Sequence, residues 1–259
     1  MMKKYLLFVG IAVLTTLQSC SMYSETTLHK DAASSTQIDF DFKEAMQFAK
    51  SMFPDSLQNE DKKLEDLEKL PKVWTSLYDM RLKDGVKVKN PDSIRIMKKM
   101  FLKSNFVDGE VAGMSMKLDH FTKSDYEFLE KAPSDKKLPV NTNNYKDWDG
   151  KKLTINTKDF NLSNLEKLME AAPEEEDINL TKEEIKEKAE QTKMMMKMMN
   201  MKITSILKFE NKIKSVTGKH DWVQQVDDHT IKLSLSSADL VDDDKKLLNK
   251  DEKIVIVTE

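Results

Sequence analysis

The feature that most constrains this chain is its single cysteine, Cys20, in 259 residues. No intramolecular disulfide can form, so the fold must be held by a buried apolar core rather than by covalent staples. The length suffices for one large domain or two small ones, each with a core of its own. Charged residues make up 34% of the chain, and glycine and proline contribute only six positions each. That composition reads as a folded, helix-rich body and not as a disordered stalk. The net charge of −3 offers no basic footprint for nucleic acid.

The position of Cys20 is as informative as its solitude. Lys3 and Lys4 precede an uncharged, mostly apolar run over 5–17, and Leu17-Gln18-Ser19-Cys20 follows. This is the layout of a secretory signal, and the apolar run is too short to span a bilayer, which takes roughly 20 residues. The cleavage end resembles a bacterial lipobox, the sequence read by the lipoprotein signal peptidase, although Gln18 stands where a small residue is more usual. The resemblance implies that 1–19 is a signal peptide and that Cys20 becomes the lipidated first residue. Its sulfur would carry diacylglyceryl, and its amine a further acyl chain such as palmitate. Two or more chains anchor stably, where one binds only marginally. Ser21 at the next position implies the outer rather than the inner membrane, with the body in the periplasm or at the surface. The chain as a whole resembles uncharacterised bacterial lipoproteins of α+β type.

Periodicity supports that class. Residues 21–35 are rich in serine and threonine and suit either a tether or a first strand; 36–42 alternate apolar and polar, a half-buried strand signal. A hairpin beginning almost at the lipid is favoured over a tether. Helices are expected over 43–53, 59–70 and 73–82, and after Asn90-Pro91-Asp92, which places an N-cap, a first-turn proline and an acid in order. Strand character returns over 105–118, and 122–125 cap a helix. Residues 145–155 read as a hairpin turning at Asp149-Gly150. Capping boxes at 163–166 and 181–184 open two further helices, the second reaching about 200. Strands are expected over 201–216, 230–235 and 254–257, with a short helix near 237–240. The fold class is therefore α+β: antiparallel sheets with strand-to-helix units packed on one face. Such units recur at 38–48, 114–129, 153–168 and 231–240, suggesting duplicated halves at 20–138 and 139–259, against a single domain over 22–259.

Three stretches bear on chemistry. Lys193-Met194-Met195-Met196-Lys197-Met198-Met199-Asn200-Met201 is the most unusual. On a helix continuing to Met201, Met194, Met198 and Met201 share a face, geometrically a thioether site for Cu(I). Packing onto a sheet or an apolar ligand is favoured, since methionine adapts to irregular apolar surfaces. His220-Asp221 and Asp227-Asp228-His229 flank an expected hairpin and read as surface turns in preference to a cation site. The acidic run 174–177 lacks the alternation and glycine of a calcium loop. No G-x-S-x-G, H-E-x-x-H or phosphate-binding glycine loop occurs. The expectation is a membrane-anchored, non-enzymatic binding or envelope-scaffold module without metal or cofactor. Its partners would be the membrane, through Cys20, and an envelope protein. The alternative is a carrier of an apolar ligand such as a lipid, with copper handling by the methionines less favoured.

Overall fold

The computed structural model describes residues 21–41, 43, 67–131, 147–159, 201–241 and 247–259. It is an α+β structure built on two sheets. The chain opens with strands β1 (Ser21–Leu28) and β2 (Ser34–Asp41), so the serine-rich start is a hairpin and not a tether. A two-residue strand β3 (Thr75–Ser76) leads into helix α1 (Leu77–Lys83), and α2 (Pro91–Lys98) follows. Strands β4 (Met100–Val107) and β5 (Glu110–Phe121) then precede α3 (Lys123–Glu130). After β6 (Lys152–Asn156) come β7 (Lys202–Phe209), β8 (Ile213–Thr217), β9 (Val223–Gln225) and β10 (Thr230–Ser236). Helix α4 (Ser237–Val241) and strand β11 (Lys253–Thr258) complete the described elements.

The large sheet has the order β3-β4-β5-β2-β1-β7-β10-β9 and the small one β6-β11-β8. Among the described residues every pairing is antiparallel except β1 with β7, which run parallel from Ser21↔Lys202 to Leu28↔Phe209. The large sheet therefore draws strands from both sides of residue 138. The small sheet shares a core with one end of the large one: Leu28, Leu207, Phe209, Ile231 and Leu233 meet Leu153, Ile155, Ile254 and Ile256. At the other end, Ile38, Met116 and Leu118 of β2 and β5 receive Ile96 of α2 and Tyr126 of α3. Burying each such aliphatic side chain stabilises the fold by roughly 1.5–3 kcal/mol.

Between these two cores the inward face of β1 and β2 is hydroxylic, not apolar. Thr26 is wholly buried and meets Thr36 at 3.0 Å, Ser24 bonds Ser205 at 2.8 Å, and Ser34 bonds the Tyr126 hydroxyl at 2.7 Å. Each buried hydroxyl is matched with another, which removes most of the cost of taking it from water. The composition that makes 21–35 look like a tether is thus a paired seam inside the sheet.

Local signals set the helices. Asn90 caps α2 by accepting the Ser93 N–H at 2.9 Å, with Pro91 first in the helix. Thr122 and Asp125 form a capping box at α3. Four expectations need correction. The 73–82 helix begins only at Leu77, after the two-residue strand Thr75–Ser76. The 105–118 strand is the end of one strand and most of a second, divided by a turn at Asp108-Gly109. Gly150 turns the chain at φ 93°, but β6 pairs with β11, and among the described residues of the upstream arm, 147–148, none is in a strand. The 201–216 strand breaks at 210–212, where the chain leaves the large sheet for the small one. The expected helices over 43–53, 59–70, 163 onward and 181–200 lie outside the described residues, apart from Lys43 and 67–70. Among the described residues, no helix is long and apolar enough to cross a membrane.

Candidate functional site

Cys20, Met194 and Met198 lie outside the described residues. Met201 stands at the entry to β7, where its backbone N–H donates to Ser237 Oγ at 2.7 Å and its carbonyl accepts the Ser237 N–H at 2.8 Å. It is partly buried and outside any helix.

The residues around β9 and β10 form a cleft. His220 and Asp221 precede β9, while Asp227, Asp228 and His229 make the turn between β9 and β10. The two histidine–aspartate groups do not converge. His229 Nδ1 lies 2.9 Å from the Phe209 carbonyl, and Asp228 pairs with Lys212 at 3.0 Å. Asp221 accepts the Leu248 N–H and the Asn249 side chain, which hold its carboxyl below the usual range. Among the described residues no group of three or more potential ligands could hold a metal. The cleft, of about 250 Å³, has an apolar floor of Val216, Val223, Ile231 and Ile254. Lys219, His220, Gln225 and Asn249 supply its polar groups. His220 is nearly buried, with its ring 4.7 Å from Trp222, and burial pushes its imidazole below the ordinary value, against the pull of Asp221 and Asp251.

A denser polar cluster lies at the β1–β2 turn. The parallel register Leu28↔Phe209, continued by one residue, sets His29 beside Glu210. His29 Nδ1 is 2.7 Å from Glu210 Oε1, and His29 Nε2 is 2.9 Å from Ser35 Oγ. Glu210 Oε2 also accepts the Lys30 N–H at 2.9 Å. The His29 contact, foremost, and the Lys30 N–H hold the Glu210 carboxyl below its usual range. Hydrogen bookkeeping then sets the roles. An ionised Glu210 only accepts, so His29 Nδ1 carries the proton it donates. In the neutral imidazole Nε2 is then the acceptor, and Ser35 Oγ, which accepts the His120 N–H at 3.0 Å, can donate its own proton to it.

The surrounding backbone is shaped to produce this contact. The β2–β5 pairing shifts between Ser34 and Thr36, so Ser35 sits at a bulge opposite 119–120. His120 at that bulge has φ 48°, an uncommon conformation for a residue other than glycine. Its ring lies 5.0 Å from that of His29 and its Nε2 is 2.9 Å from Asp31 Oδ2. Beneath the turn, the buried Trp148 indole donates to the His29 carbonyl at 2.6 Å. Gly150, at φ 93°, packs so closely that a Cβ would stand 2.5 Å from the Lys30 carbonyl oxygen. The sequence reading singled out none of His29, Ser35, Asp31, His120 or Glu210. The side-chain pair at its centre spans 181 residues, and no local pattern marks it.

No family model matches the chain, and no curated protein matches it. Among solved structures, the NMR structure of the folded domain of Mycobacterium tuberculosis LppM is similar at a TM-score of 0.37 and 10% identity, over 93% of this chain and 90% of that one. A likeness at that level does not extend to function.

Proposed function

We propose that the chain is a lipid-anchored envelope protein whose body is a binding module held against the membrane. The observation that carries the reading is the adjacency of anchor and fold. β1 begins at Ser21, one residue past the lipobox-like cysteine, and is an interior strand of the large sheet. An acylated Cys20 would hold the body within a residue's length of the lipid surface, with two or more acyl chains supplying stable attachment. By the position of Ser21 the membrane is the outer one. The cleft beside His220 supports a binding role, because an apolar floor with a few convergent polar groups is the usual make-up of a ligand site. Its volume of about 250 Å³ falls below the roughly 300–1,000 Å³ of typical small-molecule pockets. A small amphipathic ligand fits this cleft better than a whole lipid.

Two measurements test this. Labelled palmitate fed to a bacterial host should enter the full chain and be lost in Cys20→Ala; an unlabelled wild type removes the anchor. Native mass spectrometry of the full chain released from detergent should show a small bound mass that disappears in Val216→Phe, which fills the cleft. A bare polypeptide mass overturns the small-ligand reading and leaves envelope proteins as the partners.

A further inference from the structure

We propose that Ser35, His29 and Glu210 form a solvent-reachable acyl-transfer centre, with Ser35 as nucleophile, His29 as general base and Glu210 as the group that positions His29. The inference is independent of the anchoring and the cleft. It rests on three facts of geometry. The chain of contacts runs carboxylate to imidazole at 2.7 Å and imidazole to hydroxyl at 2.9 Å, within the reach that nucleophile, base and orienting acid require. In the neutral imidazole, Nε2 is free to accept from Ser35 and Oγ is free to donate. Finally, the centre opens to water: the side chains of Glu210 and His29 are 39% and 18% exposed.

A purely supporting hydrogen-bond network would account for the His29–Glu210 pair, which ties β1 to β7. The same ring also meets Ser35, which makes a relay of carboxylate, imidazole and hydroxyl that a tie between β1 and β7 does not need. The β1–β2 register, which pairs Thr27 with Ser35 and Leu28 with Ser34, sets Ser35 diagonally across the hairpin from His29, and the β5 bulge at 119–120 lies on its other side. The His120 N–H occupies one lone pair of Oγ and leaves the other for attack.

In the first step Ser35 Oγ bonds to the carbonyl carbon of an ester while its proton passes to His29 Nε2, and the carbonyl π pair moves onto oxygen. Collapse of that adduct breaks the bond to the leaving alkoxide, which takes the proton from Nε2 and departs as the alcohol. Water then attacks the acyl-serine with Nε2 again as base, releasing the acid and restoring Ser35. One ester and one water give one acid and one alcohol. The fitting substrates are small activated esters. They approach from solvent, and their good leaving groups lower the demand for oxyanion stabilisation.

The test uses the full chain in detergent with a fluorophosphonate reagent and, separately, p-nitrophenyl acetate. Peptide mapping of the wild type should locate the phosphonyl adduct on Ser35, and Ser35→Ala should abolish both the adduct and ester turnover. His29→Ala should slow labelling about 100-fold, the scale of a lost general base, and added imidazole should restore part of the rate. Glu210→Gln should slow it by no more than His29→Ala does, and the double variant should be no slower than His29→Ala alone, because the carboxylate acts only through the imidazole. No adduct at Ser35 in the wild type overturns the proposal whatever the variants do. Labelling undiminished in a folded His29→Ala, or a loss that imidazole does not touch, overturns it equally.

Discussion

The carboxylate of Asp125 is wholly buried at the start of α3 and accepts from three donors. These are the Arg95 guanidinium, the Lys99 ammonium at 2.8 Å and the Thr122 N–H at 3.0 Å. Through it α2, the start of β4 and α3 are tied together. Asp125→Ala removes one helix-capping bond, worth about 1 kcal/mol, and uncouples two cations. A fully buried pair costs roughly 3–5 kcal/mol to break and an exposed one about 0–1. Arg95 and Lys99 are 42% and 28% exposed, so each regains water and the loss is nearer 1 kcal/mol apiece. The expected total is about 3 kcal/mol, a fall in Tm of roughly 6–12 °C for a chain of this size. Asp125→Asn keeps an acceptor for the Thr122 N–H and should lose about 2 kcal/mol. Asp92, 64% exposed and 3.5 Å from Arg95, supplies the control; Asp92→Ala should stay within about 0.5 kcal/mol. Urea unfolding at unchanged m-value measures all three. An alanine variant within 1 kcal/mol of wild type, or an asparagine variant as unstable as the alanine one, refutes the reasoning.

Three further outcomes follow from other sites. Gly113 of β5 lies so close to β2 that an added Cβ would overlap the Phe40 carbonyl oxygen. Gly113→Ala should therefore lose about 2 kcal/mol in urea unfolding, and no loss would show that the strands part freely. His220, depressed by burial from 6.5, binds a proton more readily unfolded than folded, so stability should fall as pH drops below about 6.5. An NMR titration of its ring should give a midpoint below that of a free histidine, and a midpoint at or above it contradicts the burial. Asp221 is held below its ordinary 3.8, first by the Asn249 side chain. Its contribution is present above 3.8 and lost as pH falls through the lower folded value. Asp221→Asn should flatten the acid end of a stability–pH curve, and an unchanged slope counts against the bond.

The elements that could be read locally are those whose cause is local. The alternation over 36–42, the Asn90-Pro91 helix start and the Thr122-to-Asp125 capping box act over a few residues, and all three appear in the structure. A period of two or 3.6 states which face of an element is apolar. It is silent on which neighbour covers that face, and the 201–216 stretch shows the consequence. Both of its strands carry apolar residues, yet the break at 210–212 sends them to different sheets. Likewise Trp148 belongs to no visible pattern, although it is buried between Phe209 and the β1–β2 turn.

The α+β class, the absence of disulfide support and the lipobox-like leader rest on residue order alone, because each depends on composition or on spacing within one segment. The parallel pairing of β1 with β7 does not. It is a choice of partner and register made by the whole core across some 180 residues, and a register differing by one would point every side chain of β1 to the opposite face. That choice is what sets His29 against Glu210. The β1–β2 hairpin register brings the Ser35 hydroxyl to the second nitrogen of the same ring. His29 and Ser35 meet across a local hairpin, but Glu210 joins them only because distant strands pair, and pairing between distant strands is decided by tertiary packing.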